Sequence, residues 1–121
     1  MSRDAAAEDD LRSRLEAIFA AAGESPSCIY NVVVANREHT EGFTGLPVDS
    51  EWFAIFVSVG TRRIRKLAGR HAFAAGDSPT AAANNLIDNM RRAAKWYAEN
   101  SNSRADARAF ARVSDFERAC K

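Results

Sequence analysis

The chain has 121 residues, with 17 basic and 16 acidic side chains and a formal net charge of +1. That is one domain's worth of sequence, and the charge balance excludes both a highly charged disordered tail and a globally basic nucleic-acid binder. Alanine supplies 24 of the 56 apolar residues, so a small set of larger side chains must do most of the burying.

Leu11, Leu15, Ile18, Phe19 and Ala22 recur with helical spacing and predict an amphipathic helix over 5–22. Glu8, Asp9 and Asp10 suit the positive end of its dipole, and Gly23 and Pro26 stop it. Residues 28–35 are rich in β-branched and aromatic side chains on both faces, which predicts a central or doubly covered strand. Residues 36–50 carry Gly42, Gly45 and Pro47 and read as a long connection with room for a short hairpin around Phe43. The strongest strand signal is 51–59, where Trp52, Ala54 and Phe56 alternate with Phe53, Ile55 and Val57.

Residues 62–73 hold few large apolar groups and many charges, the pattern of an edge strand or strand pair protected against unwanted pairing. Ser78 followed by Pro79 marks a helix start, and Ala83, Leu86, Ile87, Met90, Ala94 and Tyr97 give it a buried stripe over 79–98. After the polar linker 99–103, Ser103 and Asp106 open a third helix with Phe110, Val113 and Phe116; Ser114 with Glu117 offers a possible restart. The expected fold is α+β: a three- to four-stranded, mainly antiparallel sheet with two helices on one face, in α-β-β-β-α order. Residues 1–98 form the domain, and 99–121 a linker and C-terminal helix that packs on it or on a partner.

No apolar core follows the N-terminal residues, which predicts no signal peptide, and the apolar runs 32–35 and 52–57 are too short to span a bilayer. Cys28 and Cys120 therefore read as reduced thiols in a cytoplasmic protein that does not engage a membrane. The two histidines and two cysteines form no metal-ligand pattern, and no nucleotide-binding or nucleophile motif occurs, so the expectation is no metal and no cofactor.

The net charge hides an asymmetry. Residues 1–60 sum to −6, and residues 61–121 to +7. Arg62, Arg63, Arg65, Lys66 and Arg70 fall within nine residues, and Arg91, Arg92 and Lys95 follow on the second predicted helix. Guanidinium groups grip phosphates and carboxylates in bidentate fashion, so this set suits an anionic protein or nucleoprotein surface, or nucleic acid directly. On an edge strand, Arg63 and Arg65 would form one row; the competing reading is a strand merely solubilised by charge. Trp96 lies off the buried stripe and either packs under the third helix or stands exposed as an anchor for a partner. His39 among Glu38, Glu41, Asp49 and Glu51 offers raw material for acid–base chemistry, or an ordinary solvated loop.

The helix–three strands–helix order over about 5–98 resembles a double-stranded-RNA-binding domain. In that family the last helix opens with a lysine-rich turn, whereas residues 76–82 here contain no basic side chain. Residues 75–86 are also locally similar to the strand-to-helix junction of HicB-type antitoxins. The leading expectation is a small non-enzymatic inhibitor or adaptor that docks through 62–70 and the second helix, with Trp96 among the partner-binding residues. Direct nucleic-acid binding comes next, then an acid–base enzyme built on the His39 loop. A C-terminal helix that did not fold back would offer its apolar face to a second copy, as a homodimer.

Overall fold

A computed structural model describes residues 2–24, 31–37, 51–58 and 61–116. The elements are β1 (Ser2–Arg3), α1 (Ala5–Ala21), β2 (Asn31–Arg37), β3 (Glu51–Val57), α2 (Arg62–Leu67), a 3₁₀ turn (Gly69–His71), β4 (Phe73–Gly76), α3 (Pro79–Asn100) and α4 (Arg104–Asp115). The fold is α+β with an antiparallel sheet in the order β1-β2-β3-β4. The sequence-based order lacked β1 and α2. Predicted features at Phe43, His39, Cys28, Cys120 and Glu117 lie outside the described residues.

The central ladder pairs Val33 with Ile55 and Ala35 with Phe53, and the next pairs Ile55 with Phe73 and Phe53 with Ala75. This register sets Val32, Val34, Ala54, Phe56 and Ala74 into the core, together with Leu11, Leu15, Ile18 and Phe19 of α1 and Leu86, Ile87 and Met90 of α3. The opposite face is more open. Val33, Phe53 and Ile55 are half-buried there, and Val57 and Phe73 are exposed. The apolar alternation at β2 therefore marks one fully buried face and one partly covered face, rather than equal cover on both.

Each long helix starts where a polar side chain takes up a free amide. Asp4 accepts from the Ala7 N–H at 2.9 Å, Ser78 from Ala81 at 3.0 Å and Ser103 from Asp106 at 3.3 Å. Gly23, with φ +84°, closes α1 in the left-handed conformation that glycine adopts without steric cost. Glu8 does more than complement the dipole. Its buried carboxylate accepts the Val34 N–H at 3.0 Å and both Nε and Nη2 of Arg3 at 2.7 and 2.9 Å, tying β1, α1 and β2 together. The Arg3 hydrogen bonds hold the Glu8 carboxyl below the usual carboxylate range, outweighing the opposing effect of burial, and the Val34 N–H acts in the same direction.

The expected edge strand over 62–73 is corrected by the structure. Its first half is helix α2, followed by the 3₁₀ turn, and only Phe73–Gly76 is strand. Thr61 caps α2 by accepting the Ile64 N–H, and Ile64 and Leu67 are both buried. Those two lie three residues apart, a helical interval that places them on one face, and straight-chain Arg and Lys favour helix. Gly69, at φ +66°, then turns the chain into the 3₁₀ segment. The true edge, β4, is finished by α3: Asn85 and Asn89 donate their side-chain amides to the Ala75 and Phe73 carbonyls, each at 2.9 Å. Gly76 allows the close turn into α3, since a Cβ there would sit 2.7 Å from the Ala82 nitrogen.

α4 packs along α3 and buries Ala109, Phe110 and Val113 in the common core. Its apolar stripe is engaged within the chain. This removes the exposed face on which the homodimer expectation stood.

Candidate functional site

The nine basic and aromatic residues singled out in the sequence divide into three groups. Arg62 and Arg63, in the first turn of α2, point at α4. Arg63 Nε donates to Asp106 Oδ1 at 2.6 Å, Arg62 Nη2 to Asp106 Oδ2 at 2.9 Å and Arg63 Nη1 to Glu24 Oε1 at 3.2 Å. Glu24 also accepts from Thr61 Oγ1 at 2.8 Å. The Arg63 hydrogen bond holds the Asp106 carboxyl below its usual range against the cost of its burial, and the charge of Arg62 adds to the effect. These arginines join α2 to α4 and to the end of α1. With 62–67 helical, Arg63 and Arg65 do not form the single row expected of a strand: Arg63 is half-buried and Arg65 exposed.

The second group surrounds an aromatic cluster. Tyr97 stacks on buried Phe110 (ring centroids 5.1 Å apart, 30° between planes) and meets the edge of Trp96 at 5.4 Å and His71 at 5.9 Å. Its hydroxyl lies 3.4 Å from His71 Nε2. Lys66 places its ammonium 5.4 Å from the Tyr97 ring centroid, a cation–π contact. The cluster is anchored in the core at Phe110 and ends in solvent at Trp96, which is 60% exposed. Arg70, next to His71 in the chain, and Arg65 are exposed and make no ion pair among the described residues. Tyr97 packs against α4, whereas its neighbour Trp96 stands exposed.

Arg91, Arg92 and Lys95 make up the third group. With Asp88 they lie at i, i+3, i+4 and i+7 on one side of α3 and, with Ser114 of α4, line an open cleft of about 330 Å³. Arg91 donates from Nε to the Ser114 carbonyl at 3.0 Å, and its Nη1 lies 3.8 Å from Asp88. Arg92 donates to the Asn89 side chain.

The structure therefore brings Lys66, Arg92, Lys95 and Trp96 to the surface around α3, half-buries Arg63, and engages the still exposed Arg62 with Asp106. Sequence reasoning missed Tyr97 and His71 as the support of Trp96, and Asp106 and Glu24 as arginine partners. Tyr97 already belonged to the buried stripe, so its adjacency to Trp96 was the available signal. The Asp106 pairings span 43 and 44 residues and had no local signal.

Among the described residues, no group of three or more His, Cys, Asp or Glu side chains could hold a metal ion, and no helix is long and apolar enough to cross a membrane. No family model, curated protein or solved structure matches the chain.

Proposed function

We propose that this protein is a small, non-enzymatic inhibitor or adaptor that docks on an acidic protein surface through Trp96 and the cations around it. The observation that carries this reading is Trp96 itself: a large aromatic side chain, mostly in solvent, braced by Tyr97 and flanked on α3 by Arg92 and Lys95. Tryptophan and arginine are enriched among the residues that dominate protein interfaces: the rigid tryptophan ring buries much area at little cost in side-chain freedom, and the planar guanidinium makes several hydrogen bonds at once. Lys66 extends the same surface from α2, and an acidic partner would complement its charge.

Protein is favoured over nucleic acid as the partner by the engagement of half-buried Arg63 with Asp106 and Glu24, and of exposed Arg62 with Asp106. A cation already held by a carboxylate is less available to a phosphate, and phosphate contacts supply most of the affinity for nucleic acid.

The test is affinity capture from native host extract, with and without nuclease, comparing wild type with W96A. A specific protein retained after nuclease and lost with W96A supports the reading. Loss of the captured material on nuclease treatment would favour direct nucleic-acid binding. An identical captured set for wild type and W96A would overturn the role of Trp96.

A further inference from the structure

We infer that the cleft between α3 and the C-terminal end of α4 is a binding site for a phosphate monoester. Its walls carry three cations, Arg91, Arg92 and Lys95, against one carboxylate, Asp88, with Ser114 completing the lining. The lining thus has a formal charge of +2, which a phosphate dianion matches and a single carboxylate leaves half unbalanced. Guanidinium groups suit such a ligand because their planar forks present paired N–H donors to two oxygens of one tetrahedral anion.

Arg91 is already held in place. Its side chain is only 13% exposed, and its bond to the Ser114 carbonyl fixes it against α4, so little side-chain freedom remains to be lost on binding. Arg92 keeps donors beyond the one that meets Asn89, and the Lys95 ammonium makes no ion pair among the described residues. A volume near 330 Å³ lies at the small end of ligand pockets, and the open side leaves an exit for the ester substituent. Asp88 is a repulsive contact on the wall; its nearest cation, Arg91, offsets it.

Arg92 and Lys95 belong both to this cleft and to the surroundings of Trp96. The inference deepens the docking reading, resting on it only where the phosphate is taken to sit on a partner protein. The site would then recognise a phosphorylated side chain beside the surface that Trp96 covers.

The test follows backbone amide shifts of the full chain by NMR at constant ionic strength. The titrants are inorganic phosphate, free O-phosphoserine, a phosphoserine peptide with uncharged flanks, its unphosphorylated form and acetate. The expected result is saturable shifts confined to 88–95 and 110–116 with each phosphorylated titrant. Acetate should bind at least tenfold more weakly, and the unphosphorylated peptide should give no response. R92Q/K95Q should weaken phosphate binding at least tenfold, and K95Q alone by a smaller factor, with the remaining spectrum unchanged.

Tighter binding of the peptide than of free phosphoserine would assign the phosphate to a protein; equal binding would assign it to a small phosphate ester. Absence of saturation in wild type, equal binding of acetate, or unchanged affinity in R92Q/K95Q would each overturn the site. W96A separates the two ideas: it should leave the phosphate response intact whether or not it abolishes capture of a partner. Absence of a phosphate response would leave the W96A capture result standing.

Discussion

The two ends of α2 carry the same kind of charge and use it differently. Arg62 and Arg63 spend theirs on Asp106 and Glu24, with Arg63 half-buried and Arg62 exposed, whereas Arg65 and Lys66, less than one turn later, remain in solvent with Lys66 over the Tyr97 ring. A run of cations is therefore not one functional unit. Helical phase decides which of them reach the carboxylates of Asp106 and Glu24 and which do not.

The comparison can be broken most severely from beneath. Phe110 supports Tyr97 from the core, so Phe110→Ala should cost about 3–5 kcal/mol in chemical denaturation, as large-to-small core changes do. In conditions where the variant stays folded, Trp96 fluorescence should shift as its brace loosens. An unchanged denaturation midpoint would mean that the aromatic cluster is not anchored in the core.

Next in size is the buried carboxylate of Glu8. Glu8→Ala leaves the Val34 N–H without its acceptor, which should cost about 1–3 kcal/mol on the same denaturation curve. For the inward arginines, Arg63→Ala should lower the thermal midpoint clearly, while Arg65→Ala should stay within about 0.5 kcal/mol of wild type, as exposed substitutions usually do. Equal effects of the two would dissolve the division of α2.

Acid should sharpen the same division. The Glu8 and Asp106 carboxyls are held below their usual range, so in the acidic window the unfolded chain binds protons that the folded chain does not. Their contribution to stability is complete above the ordinary carboxylate range near ~4 and is lost as pH falls through the lower folded-state values. E8Q and D106N should each flatten the fall of the thermal midpoint with pH below about 4. The smallest effect belongs to Lys66→Ala, which removes one exposed cation–π contact and should cost no more than about 1 kcal/mol. Its binding effect should exceed its stability effect if Lys66 serves docking.

The features legible in the sequence are those set by local rules. α1, α3 and α4 were readable from their apolar stripes and from caps at Ser78 and Ser103, and β3 from strict alternation. α2 was not. A six-residue helix cannot pay its own nucleation cost and exists because Ile64 and Leu67 are buried by the rest of the fold, while its charge density imitates a protected strand. The basic residues of the candidate surface were all visible, but the division of the α2 cations into paired and unpaired sets depends on Asp106, more than forty residues away in the chain. Glu8 was legible as a dipole partner, and its grip on Arg3 and Val34 requires the strand to arrive from beyond α1.

The amide pair at Asn85 and Asn89 has a consequence for how molecules of this protein can meet. A sheet that ends in free carbonyls can grow, each incoming chain offering the next a new place to attach, and the end product is a fibre. Here a second chain laid along β4 would first have to dislodge two side-chain amides from the Phe73 and Ala75 carbonyls. That side of the molecule is closed to polymerisation by main-chain pairing, even with the apolar Phe73 exposed beside it. Contacts made there must be made side chain to side chain.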